Sequence, residues 1–147
     1  MDIFAYALQM EKDGELYYRK LAEKSKDPGI RGILTVLANA EVSHAELLQK
    51  LRDSHECAYR PIPIRDNVKN LFAEMMAQGE DFTRGKTDVE VYRKAQGLEV
   101  RSRKFYEEKA AELECQTGKE AFLMIAHEET LHFQILNSLI DLVSRPI

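Results

Sequence analysis

The sequence is poor in the material of most alternative folds. Seven Gly and four Pro in 147 residues leave few turn formers for a β-sandwich or barrel. Only two cysteines occur, Cys57 and Cys115, with no Cys-x-x-Cys pair. A disulfide scaffold or zinc ribbon is therefore not expected. The two are read as unrelated free thiols, the usual state in a reducing cytosol. No stretch of about 18 apolar residues exists, which excludes a conventional membrane-spanning helix. The opening Met-Asp-Ile-Phe has no basic stretch ahead of an apolar one, so no secretory signal is expected and a cytoplasmic location is. A basic excess is missing too. Twenty-one basic residues face 25 acidic ones, a net charge of −4, which gives nucleic acid no obvious partner.

What is present is helical periodicity in a chain that is 44% hydrophobic and 31% charged, enough apolar material for one core. Four stripes at helical spacing can be traced. The first carries Phe4, Leu8, Glu11, Tyr18, Leu21 and Ala22; the second, Ile30, Ile33, Leu37, Glu41, His44, Leu48 and Leu51. The third runs through Tyr92, Ala95, Glu99, Tyr106, Ala110 and Leu113. Phe122, Ile125, Glu129, His132, Leu136, Leu139 and Val143 make the fourth. Asp27-Pro28-Gly29 offers a cap and a first-turn proline to the second helix, and Thr117 is the expected cap of the fourth. The pattern predicts an all-α four-helix bundle in one domain, with one hairpin over about 2–56 and another over about 88–144. Residues 57–87 form a long crossover. Arg60-Pro61-Ile62-Pro63 must be extended there, and Val68, Leu71, Phe72, Met75 and Met76 predict a short extra helix packed on the bundle.

The chain also repeats. At an offset of 88, residues 1–53 align without a gap on 89–141, and ten positions are identical. Among them are Glu11/Glu99, Tyr18/Tyr106, Glu41/Glu129 and His44/His132. Two hairpins related by a pseudo-twofold follow. In each Glu-x-x-His, the i and i+3 side chains share a helix face. Glu11 and Glu41 are equidistant from the Asp27-Pro28 turn, and Glu99 and Glu129 from the Cys115–Gly118 stretch. Each hairpin thus brings two Glu and one His to one level, roughly 20 Å from its turn at ~1.5 Å per residue.

Four carboxylates converging in a dry core repel one another unless something positive joins them. No inward Lys or Arg on these stripes lies at that level. Two divalent metals would balance four Glu, and a Glu on every helix with Glu-x-x-His on two is how dimetal carboxylate bundles bind their ions. The candidate metal ligands are Glu11, Glu41, His44, Glu99, Glu129 and His132. Tyr18 and Tyr106 lie two turns beyond Glu11 and Glu99, where each hydroxyl either reaches the carboxylates or is a plain core aromatic. Glu15 and Glu128 neighbour the inward stripe and are read as solvated helix charges, with support of the ligands from behind as the alternative; His55 and His127 are read as surface residues. With the four inner Glu set aside, 21 acidic residues remain against 21 basic ones, so the charge excess belongs to the site.

Glu11-Lys-Asp-Gly-Glu-Leu-Tyr-Tyr18, Glu41-Val-Ser-His44, Glu99-Val-Arg-Ser-Arg-Lys-Phe-Tyr106 and Glu129-Thr-Leu-His132 resemble the rubrerythrins of the ferritin-like superfamily. The resemblance covers both hairpins. It implies two iron ions (manganese or a mixed pair being alternatives), bridged by Glu41 and Glu129. Glu11 and Glu99 would be terminal, with one His on each metal. It also implies peroxide or dioxygen reduction, with ferroxidase activity or a metal-stabilised non-catalytic bundle as alternatives. An external electron-donor protein and a homodimer are expected partners. The sequence departs from the pattern twice: Ser102 stands where rubrerythrins commonly carry a further Glu, and no four-Cys rubredoxin domain is present.

Overall fold

A computed structural model describes residues 2–57, 83 and 86–145. Four helices account for nearly all of them: α1 Ile3–Lys24, α2 Pro28–Ser54, α3 Asp88–Glu112 and α4 Gln116–Ser144. No strand occurs among the described residues. Most of the expected crossover, with Pro61, Pro63, Met75 and Met76, lies outside the described residues.

Each helix begins where a side chain can take up a free backbone N–H. Asp2 Oδ1 accepts from Ala5 N at 2.8 Å, and Asp27 Oδ1 from Gly29 N at 2.8 Å. Thr87 Oγ1 accepts from Glu90 N at 3.2 Å. The cap of α4 is not Thr117, which lies inside the helix, but Cys115, whose Sγ accepts from Gly118 N at 3.4 Å. Cys115 is the repeat equivalent of Asp27, so both hairpin turns end on the same structural position.

The cysteines also correct the thiol expectation. Cys57 and Cys115 form a disulfide with Cα atoms 5.2 Å apart. It ties the chain just beyond α2 to the α3–α4 turn, across 58 residues of sequence. Cys57 is buried there, and a Cβ added to Gly118 would sit 3.0 Å from its sulfur, so the glycine makes room for the crosslink. With both thiols paired, cysteine usage ceases to indicate a reducing compartment.

The hairpins α1–α2 and α3–α4 pack so that α1 lies against α3 and α2 against α4. Both of these pairs run antiparallel, as a twofold across the bundle requires. Phe4 meets Phe122 edge-on at 5.8 Å, Phe122 meets Tyr106 at 5.2 Å, and Tyr6 meets Phe105 at 5.2 Å. The Phe4–Phe122 and Tyr6–Phe105 contacts join the hairpins, and Phe122–Tyr106 holds α3 to α4, by apolar burial and favourable ring geometry. The core is therefore continuous above and below one polar layer, and that layer is the site. No helix among the described residues is long and apolar enough to cross a membrane.

Candidate metal centre

Eight polar or charged residues are buried among the described residues, and six of them are Glu11, Glu41, His44, Glu99, Glu129 and His132. None of the six is more than 6% exposed. They come one from α1, two from α2, one from α3 and two from α4. Their ligand atoms form two overlapping groups: Glu11, Glu41, His44 and Glu129 in one, Glu41, Glu99, Glu129 and His132 in the other. Within each group the donor atoms lie within 4.8 Å of one another. Glu41 and Glu129 belong to both, which is the geometry of a pair of shared carboxylates between two positions.

The imidazoles face the layer through Nδ1. His44 Nδ1 lies 3.4 Å from Glu11 Oε2 and 3.7 Å from Glu129 Oε1. His132 Nδ1 lies 3.7 Å from Glu99 Oε2 and 3.8 Å from Glu129 Oε2. The rings stack with centroids 5.9 Å apart. These distances exceed good hydrogen bonds. Glu11 Oε2, Glu41 Oε1, His44 Nδ1, Glu99 Oε2, both Glu129 oxygens and His132 Nδ1 are buried with no hydrogen-bond partner. Unpaired buried carboxylate and imidazole atoms are costly. Seven of them around one layer fit a pair of cations, and hard carboxylate oxygens with imidazole nitrogens are the donors that divalent first-row metals take.

Without cations the layer must hold protons instead. Burial and the adjacent Glu11 charge push the Glu41 carboxyl well above its ordinary 4.5. Burial also pushes Glu11 upward, but the neighbouring Glu41 carboxyl and His44 ring outweigh that and leave it lowered. Burial alone would lower His44; the neighbouring Glu11 carboxylate and the hydrogen bond to Glu128 instead raise it to about 9. In the metal-free layer Glu41 is thus inclined to keep its proton, while Glu11 and His44 favour their charged forms.

Tyr18 and Tyr106 do reach the layer, each crossing to the opposite hairpin. Tyr18 donates to Glu99, and Tyr106 donates to Glu11 at 2.6 Å. Burial and those carboxylate charges hold both phenols well above the usual 10, so they remain donors. Glu15 pairs with Arg19 at 2.6 Å on the surface, and His55 and His127 are exposed. Ser102 is buried on α3. Glu128 remains 40% exposed, as a solvated charge would be, but also takes the alternative role behind a ligand. Its Oε2 lies 2.5 Å from His44 Nε2, on the far side of the ring from the layer. The repeat concealed this contact, because the position equivalent to Glu128 is Ala40.

The sequence profile of the rubrerythrin family matches residues 2–86, more than half of the chain. The chain belongs to the rubrerythrin family. Solved structures agree on the fold of this rubrerythrin-family chain. A Thermotoga maritima protein described as a ferritin-like diiron-carboxylate protein superposes with a TM-score of 0.71 at 24% identity. That match covers 96% of this chain and 95% of that one. A hypothetical protein from Pyrococcus furiosus gives 0.68 at 19% identity, covering 95% and 86%. KatB, a manganese catalase from Anabaena PCC7120, gives 0.66 at 23%, covering 98% and 75%. No curated protein gives a significant match. At these identities the likenesses establish a ferritin-like bundle and leave the reaction to the site itself.

Proposed function

We propose that the chain is a non-haem diiron oxidoreductase that reduces hydrogen peroxide or dioxygen. The observation that carries this reading is the sharing of Glu41 and Glu129 between two buried ligand groups whose inward atoms have no protein partner. Glu11 and His44 would complete one iron position, Glu99 and His132 the other. Two ferrous ions held side by side supply two electrons together, enough to convert one peroxide and two protons to two waters.

The chain's own residues prepare that chemistry. The four helices bury the layer, and Tyr18 and Tyr106 fix the terminal Glu99 and Glu11 by hydrogen bonds. Carboxylates held this way keep their orientation while ions bind. A cavity of about 120 Å³ lies against Glu99 and Glu129, walled by Val100, Arg103, Thr130 and Phe133. It offers a small oxidant a route to the layer. Electrons to restore the reduced state would come from a separate donor protein.

Anaerobic protein loaded with ferrous iron tests the reading. On addition of peroxide, about two irons per chain should oxidise per peroxide consumed, and a reductant should restore the reduced form for further turnovers. Iron that leaves the protein as ferric product would favour ferroxidase activity. Turnover of neither oxidant would favour a metal-stabilised bundle. Equal activity with manganese alone would shift the metal assignment.

A further inference from the structure

The six inward residues obey the pseudo-twofold, but two features of their surroundings among the described residues do not. The first is behind the imidazoles. His44 Nε2 meets Glu128 Oε2 at 2.5 Å. The twofold-related position facing His132 is Ala40, which has no polar side chain. A carboxylate accepting from the outer ring N–H fixes the tautomer, holds the ring plane and makes the inner nitrogen a stronger donor. His44 has that support from Glu128, and His132 has no such support from position 40.

The second feature, among the described residues, is access to the Glu99 side. The 120 Å³ cavity touches Glu99, which belongs to the His132 group alone, and the shared Glu129. Its walls reach the surface: the Arg103 side chain is 35% exposed and Phe133 is 37% exposed. Such a space has room for several waters, so an ion there can exchange ligands with solvent.

We infer that the two metal positions are unequal in role. The Glu11–His44 position, backed by Glu128, is a resident site that fills first. The Glu99–His132 position, with no carboxylate behind its imidazole among the described residues and next to the cavity, is the exchangeable site where small molecules meet the metal pair. This inference rests on the dimetal reading above. Glu128 acts as a positioning residue, through His44.

Titration of metal-free protein with Mn(II) alone, followed by calorimetry and electron paramagnetic resonance, tests it. Two separate steps are expected, and the first equivalent should give an uncoupled mononuclear spectrum. Glu128→Ala should weaken the tight step by about 10–100-fold, with Glu128→Gln in between, leaving the weak step unchanged. His44→Ala should remove the tight step and His132→Ala the weak one. Ala40→Glu, at a partly exposed position, should strengthen the weak step and bring the two together. Two ions bound in one indistinguishable step that Glu128→Ala leaves unaltered would overturn the inequality while preserving the dimetal site. No Mn(II) bound at all would overturn both.

Discussion

The two hairpins are alike in the polar layer where they meet and differ at several positions around it. Inside, Glu11, Tyr18, Glu41 and His44 repeat as Glu99, Tyr106, Glu129 and His132, and the tyrosine hydrogen bonds cross between hairpins in both directions. Around that layer, Asp27 becomes the disulfide-bonded Cys115, Ala40 becomes Glu128, and the buried Gly14 becomes the buried Ser102. A closed polar layer has little tolerance for change, because each buried charge needs its counterpart. The surrounding positions are free to diverge, and there the two halves have become distinguishable.

The comparison breaks most completely at the shared carboxylates. Glu41→Ala or Glu129→Ala should reduce metal content from about two ions per chain to none, since each residue serves both positions; elemental analysis reads this directly. Loss of only one ion would mean that the halves are independent. In the metal-free protein Glu41→Gln should do the reverse of harm. It removes the group that burial and Glu11 hold protonated, and should leave stability equal or raise it by on the order of 1 kcal/mol.

The next largest effect belongs to the crosslink at the α3–α4 turn, which has no counterpart at the Asp27 turn. Cys57→Ser should cost about 2–4 kcal/mol, since the bond closes a long loop. Denaturant unfolding with and without reductant measures it, and the variant should show no further response to reductant. Gly118→Ala should cost less, because its methyl meets a sulfur at 3.0 Å and Leu113 at 3.3 Å, a mild overpacking.

The tyrosines sharpen the likeness instead. Tyr18→Phe and Tyr106→Phe should each cost about 1.5–3 kcal/mol in the metal-free protein, as hydrogen bonds to charged acceptors do. Their costs should agree within about 0.5 kcal/mol if the layer is symmetric. A large difference would show the asymmetry reaching the inner layer as well.

The smallest effect is graded with pH. His44 binds its proton more tightly folded than unfolded, so the stability it adds is fully present below its ordinary 6.5 and is lost as pH rises through about 9. Glu41 acts in the same direction, since the folded state keeps a proton that the unfolded state releases above 4.5. The metal-free melting temperature should therefore fall between about pH 6 and pH 9.5. Bound metal should reverse that slope, because it displaces those protons. Scanning calorimetry at both values checks the sign.

Much of this was legible before any coordinates. Periodicity located four helices to within a few residues, because amphipathic stripes of more than 20 residues leave little freedom. The offset of 88 placed two Glu and one His of each hairpin at one level, and the helices do bring all six together. The cap at Cys115 was legible too, through its alignment with Asp27, although Thr117 was the more conventional choice. The Glu128 contact was legible only as the weaker of two readings. A surface-flanking Glu on α4 gives no sign of which helix lies opposite, and the repeat pointed away from it.

By itself, then, the sequence determined the all-α architecture, the inner stripe and the six residues of its polar layer. Helix geometry and hairpin arithmetic are local, and local rules follow from residue spacing. Only the tertiary structure decided that Cys57 bonds Cys115, that each tyrosine serves the opposite hairpin, and that His44 has a carboxylate behind it. All three join residues more than 50 positions apart. Contacts at that range are set by how the faces of separate helices meet, which no spacing within one helix encodes.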